Sequence, residues 1–157
     1  MLIEKFQLKG EVNLFLYDKD GHLKEEVFIP NTVVSTGKTY VAALLAGTEH
    51  FIHNSMSYMA IGDDNSTVSV GDIRLYSELQ REAVDSLIID PLNENTVVFQ
   101  ATYPSNESQG STYEIQEAGI FNVHLANHGT MLCRTTFSVI NKEPLDSLVI
   151  IWRVMVV

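Results

Sequence analysis

Residues 81–103, Arg81-Glu82-Ala83-Val84-Asp85-Ser86-Leu87-Ile88-Ile89-Asp90-Pro91-Leu92-Asn93-Glu94-Asn95-Thr96-Val97-Val98-Phe99-Gln100-Ala101-Thr102-Tyr103, decide the fold. Over residues 81–90, Ala83, Leu87 and Ile89 alternate with polar neighbours, which predicts one strand. Pro91-Leu92-Asn93-Glu94-Asn95 is a turn, because Pro and Asn interrupt a ladder. Residues 96–103 are β-branched and aromatic and predict the returning strand.

Downstream the same grammar continues. Residues 104–111 form a loop of Pro, Ser, Asn and Gly, and residues 112–124 read as a long strand bent at Gly119. Residues 130–140 and 147–157 are two further strands, joined by residues 141–146. Upstream, residues 57–62 are a short strand running into a polar loop, and a helical turn over residues 73–79 is expected with Asp72 as its cap. Residues 37–46 are the one helix, capped by Ser35 or Thr36, with Tyr40, Val41, Leu44 and Leu45 at helical spacing and Gly47 as its stop.

Residues 10–29 predict a β-hairpin turning at Asp18-Lys19-Asp20-Gly21, and Pro30-Asn31 break it. With about eight strands, turns every ten or so residues and no βαβ alternation, the fold class is mainly β: an antiparallel, jelly-roll-like β-sandwich with one short helix and an N-terminal β-hairpin. The hairpin, residues 1–29, stands apart as an arm. Residues 30–157 form the sandwich domain.

The chain has 157 residues, 45 % of them hydrophobic and 19 % charged, which suits one globular domain. Its formal charge of -10 repels phosphate backbones and anionic lipid, so nucleic-acid and membrane partners are not expected. A lone cysteine, Cys133, excludes an internal disulfide, and it reads as an apolar filler. Met1-Leu2-Ile3-Glu4-Lys5 lacks a basic region followed by an apolar core, so folding in a reducing compartment is expected.

Catalytic chemistry finds little support. The Gly-x-Ser-x-Gly, Gly-x-x-x-x-Gly-Lys and Gly-x-Gly-x-x-Gly patterns are absent. His50 and His53 lack a third metal ligand nearby in sequence. Asp18-Lys19-Asp20-Gly21 fails as a calcium loop because Leu16 and Val27 stand where carboxylates are needed. Asp63, Asp64 and Asn65 read as a solvated loop capping local turns. Glu114 and Glu117, three apart in a strand, face opposite ways and would need a bulge to act as a pair. Neither a cofactor nor a metal is expected.

The C-terminal run Leu148-Val149-Ile150-Ile151-Trp152-Arg153-Val154-Met155-Val156-Val157 is apolar on both faces, with Trp152 as core packing. A strand covered on both sides, or one at a subunit interface, fits this pattern.

Several blocks together look like a known family. They are Pro30-Asn31-Thr32-Val33-Val34 with Thr36-Gly37, then Ala43-Leu44-Leu45-Ala46-Gly47, Tyr58-Met59-Ala60-Ile61-Gly62 and Leu75-Tyr76-Ser77-Glu78-Leu79. They continue with Gln116-Glu117-Ala118-Gly119-Ile120-Phe121-Asn122, Gly129-Thr130-Met131-Leu132-Cys133-Arg134-Thr135 and Asp146-Ser147-Leu148-Val149-Ile150-Ile151-Trp152. This series resembles a family of small structural proteins of tailed bacteriophages and prophages, of tail-fibre-like or decoration type. It spans residues 30–157 and is most specific in residues 117–122. The loop after Gly62 departs from the pattern, which is richer there in Gly, Thr and Pro.

The resemblance implies a virion structural protein without catalytic residues, most of all a capsid cement or decoration protein. Such a protein is made in the bacterial host cytoplasm, self-associates, with a trimer expected, and stabilises the shell by binding major capsid proteins. Glu117, Ala118, Gly119, Ile120, Phe121, Asn122 and Trp152 are then the candidate motif and interface residues. A tail fibre, collar or baseplate component is the alternative. A carbohydrate-binding jelly-roll module is a third reading, and it calls for exposed aromatics in a groove.

Overall fold

The computed structural model describes residues 7–48 and 55–157. In chain order the elements are β1 (Leu8–Tyr17), β2 (Leu23–Val33), α1 (Ser35–Ala46), β3 (Tyr58–Gly62), β4 (Glu78–Ala83), β5 (Ser86–Asp90), β6 (Asn93–Tyr103), β7 (Tyr113–Phe121), β8 (Met131–Lys142) and β9 (Ser147–Val156). A 3-10 turn, Glu107–Gln109, interrupts the β6–β7 loop. The strands pair antiparallel in one sheet of order β4-β3-β7-β8-β2-β1-β9-β6-β5. Among the described residues the expected β content, antiparallel pairing and one α-helix are present. In place of a two-sheet sandwich, hydrogen bonding makes one continuous sheet curled into a half-barrel.

Two places let the sheet curl. β2 pairs with β1 from Leu23 to Asn31, and then Thr32 and Val33 alone pair with Arg134 and Cys133 of β8. Pro30-Asn31 therefore does not end the strand. Pro30 gives up a donor, but its carbonyl still accepts from the Thr135 hydroxyl at 2.9 Å. The second place is the stretch expected as one strand over residues 81–90. It bends at Val84-Asp85, where the Val84 N–H bonds Ser57 and the Asp85 N–H bonds Gln100. The bend carries the chain from β4 at one end of the sheet to β5 at the other.

The inner faces of the two arms share one core. Period-two alternation puts Val12, Leu14 and Leu16 of β1 inside, with Leu148, Ile150, Trp152 and Val154 of β9 beside them. Each fully buried Leu or Ile contributes roughly 1.5–3 kcal/mol. The hairpin expected over residues 10–29, within an arm of residues 1–29, is in its described part the middle of the sheet: β1 lies between β2 and β9, paired with β9 from Leu8 to Tyr17. Its turn forms as expected, with Gly21 at φ 82°.

α1 starts two residues earlier than expected, and neither Ser35 nor Thr36 caps it. The Ser35 N–H reaches Val70, and the Thr36 hydroxyl reaches the Met131 carbonyl at 2.8 Å. Gly47 ends the helix in the left-handed conformation, as expected. The buried helix residues are Gly37, Tyr40 and Ala43, whereas Leu44 and Leu45 point outward. No helical turn forms over residues 73–79, where an irregular segment leads into β4. The strand expected over residues 112–124 ends at Phe121, and its pairing with β8 runs in register through Gly119; the irregularities lie on either side, at Ile115/Glu117 and Ile120/Phe121.

Candidate functional site

The outer faces of the two arms differ. On the β4-β3-β7-β8 arm, residues 63–77 lie across the sheet. The register sets Ala60 of β3 beside Gly119 of β7, and Gly62 beside Glu117, leaving a trough of small residues. Leu75 fills it and is 1 % exposed, with Val34, Ala60, Phe121 and Met131 around it. A side chain at Gly62 would strike the Ser77 carbonyl, and one at Gly119 would lie 3.1 Å from Leu75. Arg81 of β4 closes the rim, its guanidinium 3.8 Å above the Phe121 ring.

Arg134 of β8 ties this covering segment down. Its Nε donates to Glu117 Oε2 at 2.9 Å, and its Nη1 donates to Asp72 Oδ2 at 3.0 Å and to the Ser66 carbonyl at 3.3 Å. Its Nη2 meets Asp64 at 3.4 Å, and the Tyr76 ring stacks 4.6 Å away. Glu117 Oε1 accepts the Ser77 N–H at 2.8 Å, and its Oε2 accepts the Tyr76 N–H. Asp72 accepts the Ser69 N–H and the Tyr76 hydroxyl. Every charged oxygen of Glu117 and Asp72 thus faces a donor, as buried charges require. Arg134 and Glu117 are fully buried, and the carboxylates of Glu117 and Asp72 face Arg134 and the covering segment. The cluster is a latch.

The latch is sensitive to acid. Hydrogen bonds from Ser66, and then the charge of Arg134, hold the Asp64 carboxyl below its ordinary value. A carboxyl depressed in the folded state adds stability above its unfolded pKa of about 3.9, and that stability is lost as pH falls through the folded value. Wild type is expected to be more stable than Asp64→Asn near neutrality, and the two should converge as pH falls below the ordinary carboxylate range and Asp64 protonates in the folded state. Urea midpoints at each pH check this.

The sequence-derived candidates fall mostly inside the molecule. Glu117 is in the latch, Ala118 and Ile120 are in the main core, and Phe121 is in the outer cluster. Gly119 underlies Leu75. Asn122 is half-buried and accepts the Thr130 N–H at 2.7 Å, fixing the β7–β8 turn. Trp152 is 0 % exposed. As contact residues for another chain they are already covered, apart from Asn122.

Glu114 is exposed and Glu117 is buried, so they do not act as a pair. His50 and His53 lie outside the described residues. Asp18, Asp20 and His22 bring ligand-type atoms within 4.8 Å of one another, but the Asp18 carboxylate accepts the N–H groups of Asp20 and His22, which is hairpin-turn chemistry. Arg134 does not stand out in the sequence, because it sits in a mixed strand, Met131–Lys142, with Thr, Ser, Asn and Lys as neighbours. The available signal is the opposite charge of Glu117, set beside the small apolar residues Ala118 and Gly119 in the preceding strand.

The outer face of the β2-β1-β9-β6-β5 arm is different. Across it run Phe15, Val149 and Thr102, then Asn13, Ile151 and Gln100, then Glu11, Arg153 and Val98. Phe28 of β2 and Ile88 of β5 flank these rows, 60 % and 52 % exposed. Among the described residues, no helix or strand packs over this face. β9 therefore alternates strictly, with one side in the core and Val149, Ile151, Arg153 and Met155 half-buried on the other. Compared with known proteins, the chain matches no family model, no curated sequence and no solved structure.

Proposed function

We propose that this chain is a structural component of a tailed-phage virion that works by surface contact, as a cement or decoration protein on the capsid shell. One observation carries the reading: the outer face of β1, β9 and β6, with apolar residues interspersed among polar ones and no helix or strand over it among the described residues, set against an outer face on the other arm that the chain seals with its own residues 63–77. An antiparallel sheet with one solvated face normally turns polar residues outward. Here Phe15, Phe28, Ile88, Val98, Val149 and Ile151 share that side with Glu11, Asn13, Gln100, Thr102 and Arg153, a larger apolar share than solvent alone calls for. A patch of this kind marks a binding surface. The acidic balance keeps free subunits apart until they dock. In this reading the protein binds major capsid proteins and its own copies, and transforms nothing.

Counting copies in purified particles tests it. Hundreds of copies, with density on the head, support the shell assignment. A handful at the tail moves the protein to a fibre, collar or baseplate, and absence from the particle overturns the reading. Phe28 is exposed, so Phe28→Asp is expected to keep the fold while weakening attachment at least ~10-fold, as loss of an aromatic anchor does. Binding of the purified variant to particles stripped of the protein measures it.

A further inference from the structure

We propose that β5 pairs edge to edge with β5 of a second copy of this chain, about a two-fold axis through Ile88. This deepens the assembly reading by naming the partner and the strand, and it rests on that reading only in taking the protein to act by contact.

The two strands that end the sheet are guarded differently. β4 carries Glu78, Arg81 and Glu82, with an Arg81–Glu78 ion pair at 2.8 Å and a Gln80–Glu82 hydrogen bond at 2.7 Å. Charges of this kind are how proteins protect an edge from pairing. β5 is Ser86-Leu87-Ile88-Ile89-Asp90, with Leu87, Ile88 and Ile89 exposed at 42 %, 52 % and 55 %. Neither Pro nor Lys blocks it, and among the described strands none but β6 pairs with it. It is an open, apolar template for another strand.

The occupant follows from the charges. A chain of net charge -10 resists its own copy unless the contact keeps carboxylates apart. Antiparallel pairing centred on Ile88 sets Leu87 against Ile89, Ile88 against Ile88, and Asp90 against Ser86. Asp85 then falls opposite Pro91. No carboxylate opposes another, and all three apolar residues meet apolar partners. Moving the centre to Ile89 sets Ile88 against Asp90, and moving it to Leu87 sets Ile89 against Asp85. The strand thus matches itself in one register, as an isologous contact requires. The same contact makes the open apolar faces of the two copies continuous. Because a two-fold contact joins chains in pairs, the solution species has an even number of chains, in place of the trimer expected from the resemblance.

Two variants test this in the full chain. Ile88→Cys places two thiols across the axis within disulfide reach. It is expected to form a covalent dimer under mild oxidation, whereas Leu92→Cys in the adjoining turn is not. The native Cys133 is buried and gives no background. Ile88→Asp sets carboxylates face to face and is expected to drop the sedimentation-equilibrium mass to the 17.6 kDa of one chain, with an unchanged circular dichroism spectrum. For wild type, an even-numbered species that tightens with added salt supports the pairing. A monomer, a trimer, or an oligomer that Ile88→Asp leaves intact overturns it. Those results leave the virion reading standing, whereas absence from the particle together with a crosslinked Ile88→Cys dimer removes that reading and keeps this contact.

Discussion

Arg134→Met is expected to lower the stability of the protein by about 3–5 kcal/mol, the usual consequence of removing one partner from a buried ion pair. For a chain of this size that corresponds to a fall in melting temperature of roughly 6–20 °C. The loss comes less from missing attraction than from what stays behind. Glu117 is 0 % exposed and Asp72 is 6 % exposed, and without the guanidinium they hold two carboxylates out of water with only N–H and hydroxyl donors. The latch then opens, and Leu75 loses its place over Gly119. Adding Glu117→Leu to Arg134→Met is expected to recover part of the loss, because the stranded charge is gone. A double-mutant cycle from urea unfolding gives the coupling energy. Trp152, the one tryptophan and fully buried, reports the transition by fluorescence.

The second large effect runs against helix propensity. In an ordinary helix Gly→Ala stabilises by roughly 0.5–1 kcal/mol. Gly37 sits in the first turn of α1 with its backbone against β8, where an added methyl would overlap the Leu132 carbonyl. A backbone atom cannot swing aside as a side-chain tip can. Gly37→Ala must lift the helix off the strand, weakening the Thr36–Met131 hydrogen bond and uncovering Tyr40. We expect destabilisation of about 1–3 kcal/mol, as overpacking gives elsewhere. Thermal unfolding of Gly37→Ala beside wild type checks both sign and size.

The sequence made the strands legible because they alternate. Residues 10–17, 96–103 and 147–157 read as strands, and Gly47 shows where the helix stops. What it hid was pairing. The order that puts β1 between β2 and β9 depends on contacts between the two ends of the chain, and no local pattern encodes these. Residues 81–90 read as one strand because the bend at Val84-Asp85 uses no Gly or Pro; it is held by hydrogen bonds to Ser57 and Gln100, distant in sequence.

The site was partly visible for the same reason. Glu117 stood out in residues 117–122, but its partner Arg134 and the Asp72 beside them come from three separate stretches. The apolar residues of β9 were noticed, yet only the register shows which of them, Val149, Ile151 and Met155, face away from the core.

The position of β9 bears on how the polypeptide is made. β9 lies between β1 and β6, so the nascent chain cannot complete this sheet until residues 147–156 have been made and have left the exit tunnel. Until then β1 and β6 each carry an unfilled edge beside apolar side chains, a state that invites aggregation during slow, non-local β folding. Emergence of residues 147–156, rather than of any earlier segment, is the step that lets this sheet reach its native form.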